Sequence, residues 1–136
     1  MANALYPLWK ENVVQLGANY GLNNAALKAA LVKSTYTYSA AHQFYSDLTP
    51  ASNVAGTPVA LATKTYTGGL LKAANTTITA VPSGGSVTAI VLYNDTGTST
   101  TSPLVAYIDT GVTGFPVSPN GGDITIAWNA SGIFQL

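Results

Sequence analysis

Two dense apolar runs separated by a polar loop form the clearest hydrophobic pattern in the chain. The runs, Ala89 to Tyr93 and Leu104 to Ile108, are too short for ordinary helices and are rich in Val, Ile and Tyr. The pattern predicts a β-hairpin. Neither run alternates between apolar and polar residues, so we expect both of its faces to be covered. The core would cover one face, and a second element of the chain or a neighbouring subunit would cover the other.

The connection between the two runs, Thr96 to Ser102, is long for a tight hairpin and carries no apolar anchor. We expect it to form a mobile tip, which is either a solvated spacer or a binding loop.

The N-terminal part combines a short uncharged stretch, Ala2 to Tyr6, with a pattern typical of a helix. Proline is favoured in the first turn of a helix, so we expect one to begin at Pro7, to run to about Leu16 and to end at Gly17. Its apolar face would carry three side chains, Trp9, Val13 and Leu16. This face is either a piece of the core or a docking surface.

The stretch that follows contains weaker signals. Asn19 to Asn24 has the composition of a turn, and Leu27 to Val32 is interpreted as a strand although Ala, Leu and Lys also favour helix. Ser39 could cap a short helix from Ala40 to about Ser46, which would point Phe44 and Tyr45 toward the core. Thr49 to Pro58 contains two prolines and a glycine and is interpreted as an irregular connection.

From Val59 onward the pattern indicates β-structure. Period-two alternation predicts strands over Val59 to Thr67, Thr76 to Val81 and Ile124 to Trp128, and Ile133 to Leu136 would form a closing edge strand. Pairs of turn glycines separate these strands: Gly68-Gly69, Gly84-Gly85 and Gly121-Gly122. The sequence therefore predicts a mainly β fold, an antiparallel β-sandwich or jelly-roll-like barrel with one or two short N-terminal helices.

Length and composition limit the class of protein. A chain of 136 residues fits a single β-rich domain over 1–136, with an N-terminal arm and helix over about 1–17. It contains no cysteine, and we expect neither a signal peptide nor a transmembrane helix. Only 7% of residues are charged, against about 25% in ordinary soluble domains. Such a surface offers little repulsion against self-association, so the chain is either an assembled protein, expected as a homo-oligomer, or a Thr-rich β-domain that is soluble alone.

The charge balance argues against two classes of partner. Five lysines face five acidic residues, and there is no arginine, whereas nucleic-acid binding depends on clustered Lys and Arg. No basic amphipathic stretch is present either. We therefore expect neither nucleic acid nor membrane as a partner.

The chain has few residues from which to build a catalytic site. It contains one histidine, His42, one glutamate, Glu11, and four aspartates. A nucleophilic or acid–base mechanism needs paired titratable groups, so we expect no enzyme and no cofactor.

Three of the aspartates, Asp95, Asp109 and Asp123, follow or precede strands and are expected to bind turn amides. The alternative is a Ca²⁺ site, because Asp95 and Asp109 flank the hairpin and could meet if its strands pair.

The aromatic residues give the chain some potential to bind sugars or proteins, although core packing explains most of them. Tyr36 and Tyr38 share one face of an alternating stretch, Thr35 to Ser39, and are expected to be the exposed pair.

Several stretches resemble a family of small virion structural proteins of tailed bacteriophages. They are ANALYP at Ala2 to Pro7, YSAAHQFYSDL at Tyr38 to Leu48, LYNDTGTSTTSPLVAYIDT at Leu92 to Thr110, PVSPNGGDITIAW at Pro116 to Trp128 and the terminal IFQL. The resemblance spans nearly the whole chain. The predicted helix and the segment Asn19 to Ala30 are poorer in charge than the family pattern, and the connection Leu48 to Val59 is more apolar.

The resemblance implies a non-enzymatic virion protein, which we expect to be a decoration or cement protein on the outside of the capsid. It would be made in the host cytoplasm and would bind the major capsid protein, other virion proteins or copies of itself. The alternatives are a neck, tail or fibre-attachment component and a carbohydrate- or receptor-binding module of the virion. The candidate interface residues, chosen for aromatic content and low surrounding charge, are Tyr6, Trp9, Tyr36 and Tyr38.

Overall fold

The computed structural model describes residues 3–14, 21 and 26–135. Within them, nine strands and two short helices follow one another in this order: β1 (Ala4–Leu5), α1 (Pro7–Val14), β2 (Leu27–Lys33), α2 (Pro50–Asn53), β3 (Val54–Ala60), β4 (Leu70–Leu71), β5 (Thr76–Ile78), β6 (Val87–Asn94), β7 (Leu104–Ile108), β8 (Ile124–Ile126) and β9 (Phe134–Gln135). The fold is mainly β, as predicted.

The predicted hairpin is confirmed and occupies the middle of the main sheet. This sheet has the order β1-β7-β6-β2-β3, and all of its neighbouring strands are antiparallel. In the hairpin, Ile90 pairs with Ile108 and Tyr93 with Leu104. Every residue of β7 is buried, as are Ala89 to Asn94 of β6, so both faces are covered within the chain itself.

Two small antiparallel sheets complete the β-structure, β5 with β8 and β4 with β9. The β5–β8 sheet packs beside β3, where Gly56 leaves space for Ile78 and Val81; a Cβ at Gly56 would lie 3.2 Å from Ile78. This packing of antiparallel layers is consistent with a β-sandwich. The edge strand expected over Ile133 to Leu136 is β9, although Leu136 lies outside the described residues.

Helix α1 begins at Pro7, as predicted, and places Trp9 in the core with Val13 half-buried beside it. The predicted helix end at Leu16 and Gly17 lies outside the described residues. So does the predicted turn at Asn19 to Asn24, apart from Gly21.

Strand β2 confirms the interpretation of Leu27 to Val32, but the irregular connection expected over Thr49 to Pro58 is wrong. That stretch contains α2 and most of β3, which pairs with β2. The strand expected over Val59 to Thr67 ends at Ala60, because the partner strand β2 begins at Leu27 and the ladder has nothing further to pair with.

The helix expected over Ala40 to Ser46 is also wrong. Ser39 does accept a hydrogen bond from the Ala41 N–H, yet only a 3₁₀ turn forms, at Tyr45–Leu48. The segment before it is used as an extended edge: Leu104 N–H donates to Gln43 O, and Tyr45 N–H donates to Ser102 O. Long-range pairing with the hairpin therefore overrides the local helix signal.

Candidate functional site

Three of the four candidate interface residues lie in one tyrosine cluster with Tyr107. The ring centroids of Tyr6 and Tyr38 are 5.1 Å apart, and those of Tyr38 and Tyr107 are 5.5 Å apart. The Tyr6 and Tyr36 hydroxyls are 2.9 Å apart, and the Tyr36 hydroxyl lies 2.8 Å from Nδ1 of His42. The cluster joins the start of α1 to the loop after β2.

The expectation that Tyr36 and Tyr38 form an exposed pair is wrong, and the other two candidate residues are buried as well. Tyr6 is 0% exposed and Tyr36 is 7% exposed, while Tyr38 is half-buried. Trp9 is 1% exposed and makes an edge contact with Phe134. Tyr36 turns inward because its hydroxyl finds partners in Tyr6 and His42, so a polar tip does not keep it at the surface. Little of these side chains is left for a partner to touch.

The electrostatics of the cluster are those of a neutral structural element. Burial raises the pKa of Tyr6 far above its ordinary value, and the hydrogen bond to Tyr36 raises it further. Burial also raises the pKa of Tyr36. These phenols therefore stay protonated at neutral pH, and His42 serves as a hydrogen-bond partner of Tyr36.

The aspartates bind backbone and lysine groups at separate places. Asp95 accepts hydrogen bonds from Lys28 Nζ at 2.6 Å and from the Gly97 N–H at 2.8 Å, and these interactions hold its pKa below the usual value. Asp123 accepts from the Ala80 N–H, and Asp47 accepts from the Gln43 and Phe44 N–H groups.

The Ca²⁺ alternative fails on the geometry of the hairpin. Because Ile108 pairs with Ile90, Asp109 lies at the end of the ladder away from the loop, while Asp95 lies at the loop. The two are separated by about six residues, or roughly 20 Å at the rise of a strand. Within residues 3–14, 21 and 26–135, no group of three His, Asp or Glu side chains is placed to hold a metal ion.

The tip Thr96 to Ser102, expected to be a mobile spacer, is held by hydrogen bonds. Ser102 is fully buried; its hydroxyl donates to Thr98 O at 2.8 Å and accepts from the Thr96 N–H at 3.0 Å. Thr96 and Thr101 share a hydroxyl contact of 2.6 Å. Ser46 N–H donates to Ser99 O, which ties the tip to the 3₁₀ turn. Several of its hydroxyls are therefore already engaged within the molecule.

A groove without charged side chains runs between β1, β7 and the C-terminal segment. It consists of two cavities of about 70 and 200 Å³ that share Asn3, Ile108 and Ile133. Half-buried apolar side chains form its walls, and uncharged amides and a hydroxyl also line it: Leu5, Trp128 and Phe134 among the former, Asn129, Gln135 and Thr110 among the latter. A groove of this composition can accept an uncharged ligand but offers no charge to a phosphate or carboxylate.

Sequence reasoning did not identify this groove. The groove forms only where residues from both ends of the chain meet, such as Asn3 and Ile133. The alternation of apolar and polar residues within one strand does not predict contacts between the two ends of the chain.

The surface around these features carries little charge. Among the described residues, the exposed charged ones are Lys10, Glu11, Asp47, Lys72 and Asp123, and most other exposed positions are Thr, Ser, Gly, Ala or Asn. No described helix is long and apolar enough to cross a membrane. No protein-family model matches the chain, and no curated protein matches it at a significant level.

Proposed function

We propose that the chain is a non-enzymatic structural protein of a tailed-bacteriophage virion that docks in many copies on the capsid as a decoration or cement protein. The observation that carries this proposal is the resemblance at Leu92 to Thr110, a stretch that forms the end of β6, the tip and β7. The residues that carry the resemblance are therefore those around which the fold is built.

The surface supports docking on another protein. A contact surface of hydroxyls, amides and small apolar groups becomes buried without the desolvation of charges, which is the largest electrostatic cost of association. The partners would be the major capsid protein and further copies of this chain. A protein that binds the assembled shell and not its separated subunits stabilises the shell by mass action.

The distribution of titratable groups supports a non-enzymatic role. His42 is joined to a buried tyrosine, and Asp47, Asp95 and Asp123 each bind a backbone or lysine group in a different part of the fold. No described pair of these has the arrangement of a nucleophile and its base.

Disruption of particles tests the cement role. Heat or osmotic shock is applied to particles that carry the protein, to particles that lack it and to the latter after the purified protein is added back. We expect the first and third to resist disruption longer, with a gain that changes little between low and high salt because few charges are involved. Equal resistance of all three would contradict the proposal.

The position on the virion is tested by cryo-electron microscopy of intact particles. Density for this β-fold repeated over the whole shell is expected. A few copies at the portal vertex, along the tail or at a fibre would instead indicate the neck, tail or fibre-attachment alternative.

The uncharged groove favours a second candidate function, binding of a neutral sugar by the virion. Amphipathic aromatic rings beside amides are suited to sugar rings, and Trp128 and Asn129 lie together there. A glycan array with the purified protein and with Trp128→Ala tests this candidate. Binding that the substitution abolishes would support it, and blank wells for both proteins would remove it.

A further inference from the structure

The exposed turn before β8 holds an asparagine followed by a glycine. Asn120-Gly121 is the one Asn-Gly pair in the sequence. Glycine has no side chain to hinder an attack by its own backbone nitrogen on the preceding side chain, so Asn-Gly is the pair most open to intramolecular reaction. Asn120 is exposed, and Gly121 has a φ of +92°, a conformation that favours glycine.

The turn holds the side chain of Asn120 by a hydrogen bond. Oδ1 of Asn120 accepts a hydrogen bond from the Gly122 N–H at 3.0 Å, which folds the side chain back over the Gly121 peptide. The same hydrogen bond polarises the Cγ carbonyl and would stabilise negative charge that develops on Oδ1. Gly121 N–H donates to Val81 O at 2.8 Å, and Val81 N–H donates to Gly122 O, so the turn is fixed on Val81. The Gly121 nitrogen is therefore free to attack only when its hydrogen bond to Val81 O opens.

We propose that Asn120 is a deamidation site, at which the folded protein converts this asparagine to aspartate and isoaspartate as it ages. Hydroxide or a buffer base removes the Gly121 amide proton. The nitrogen then forms a bond to Cγ of Asn120, and the Cγ–Nδ2 bond breaks with release of ammonia. Water then opens the resulting five-membered imide at either carbonyl and gives a carboxylic acid. In the overall reaction, one side-chain amide and one water become one carboxylic acid and one ammonia.

Asn129 provides a matched comparison within the same chain. Its Oδ1 accepts from the Ser131 N–H at 2.8 Å, the same two-residue turn, and it is equally exposed, but Ala130 follows it. The two sites therefore differ in the residue whose nitrogen attacks and in the hydrogen bond that the Gly121 N–H donates to Val81 O. The inference rests on this chemistry alone and not on the proposed function.

The experiment incubates the folded protein in mildly alkaline buffer and follows each asparagine by proteolysis and mass spectrometry, with an isoaspartate-specific methyltransferase as the second readout. We expect conversion at Asn120 to be severalfold faster than at Asn129 and to rise with pH. Conversion at Asn120 no faster than at Asn129 would overturn the proposal.

A substitution tests the assignment in the opposite direction. Ala130→Gly creates a second Asn-Gly pair in a turn of the same kind, and we expect conversion at Asn129 to rise severalfold while Asn120 is unaffected. Thermal melting first verifies that the variant is folded. An unchanged rate at Asn129 in the folded variant would overturn the role given to the glycine.

Discussion

At the scale of single residues, the need to satisfy every buried donor assigns a direction to the hydrogen bonds that run from Tyr6 through Tyr36 to His42. Tyr6 is fully buried, and among the described groups its hydroxyl bonds only to Tyr36. All donors are satisfied when Tyr6 donates to Tyr36 and Tyr36 donates to Nδ1 of His42. The Tyr36 hydroxyl is therefore both acceptor and donor, and it is the hydrogen-bond partner of both Tyr6 and His42.

Removal of the Tyr36 hydroxyl is predicted to cost more stability than removal of the Tyr6 hydroxyl. Tyr36→Phe leaves a buried Tyr6 donor without an acceptor, which costs about 1–3 kcal/mol. Tyr6→Phe removes a donor and leaves the bond to His42 intact, so it costs about 1 kcal/mol. Denaturant unfolding measures both.

The control for these variants is Tyr38→Phe, which keeps the ring contacts with Tyr6 and Tyr107. It should change the free energy of unfolding least. In the double variant Tyr6→Phe/Tyr36→Phe, the loss should be smaller than the sum of the single losses, because no orphaned donor remains. Additive losses would contradict the coupling of the two hydroxyls, and a loss for Tyr6→Phe as large as that for Tyr36→Phe would contradict the assigned direction.

The sequence drew attention to Tyr36 and Tyr38, but it did not predict that Tyr36 is buried. Tyr36 and Tyr38 alternate with polar residues, and that local pattern predicts a shared exposed face. The burial of Tyr36 follows from hydroxyl partners 30 residues away in one direction and six in the other, which a local pattern does not contain.

At the scale of elements, the short strand β1 is held to the sheet by the side chain that precedes it. Asn3 Oδ1 accepts hydrogen bonds from the Asp109 and Thr110 N–H groups at 2.7 and 2.9 Å, and Nδ2 donates to Thr110 O at 3.0 Å. The Asn3 amide thus continues the ladder that Ala4 and Leu5 form with β7. Residues Asn3 to Leu5 of the expected N-terminal arm are therefore built into the sheet.

Asn3→Ala is predicted to loosen β1 and to destabilise the protein by about 1–2 kcal/mol, since it removes three hydrogen bonds that water replaces only in part. Hydrogen exchange should show faster exchange of the Thr110 amide while β6 remains protected. Asn75→Ala, also at an exposed asparagine, is the matched control and should change neither quantity. Equal effects of the two substitutions would contradict this role of Asn3.

The elements that the sequence predicted well are those that local composition determines. The hairpin and β2 are dense apolar runs buried on both faces, and Pro7 begins its helix as expected. Strand β3 was missed because Gly56 and Pro58 are turn signals, yet both lie inside it, where its register on β2 shifts. The tyrosine cluster and the groove depend on contacts between residues that are far apart in the sequence, and for that reason they were harder to predict.

At the scale of the whole molecule, buried phenols couple stability to alkaline pH. Burial is the largest cause that raises the pKa of six described tyrosines: Tyr6, Tyr36, Tyr45, Tyr66, Tyr93 and Tyr107. Above about pH 10 the unfolded chain releases these protons while the folded chain retains them. Because the folded state then binds more protons, the free energy of unfolding falls as pH rises.

We therefore predict that most tyrosines ionise together with unfolding. Phenolate absorbance and circular dichroism are followed in parallel as the pH is raised above about 10. The main rise in absorbance should coincide with the loss of β-structure and should be steep. Gradual ionisation of all tyrosines with the β-signal intact would contradict the burial of the cluster.

Strand β3, at one edge of the main sheet, has a further consequence for a chain with no net charge. Copies of such a protein gain no electrostatic protection from one another, and an unpaired strand is a template for polymerisation into fibrils. Pro58 lacks the N–H that a new strand would need, and Gly56 with its φ of +69° interrupts the extended edge. The same two residues that made β3 look like a turn in the sequence thus make its open edge a poor template for a further strand.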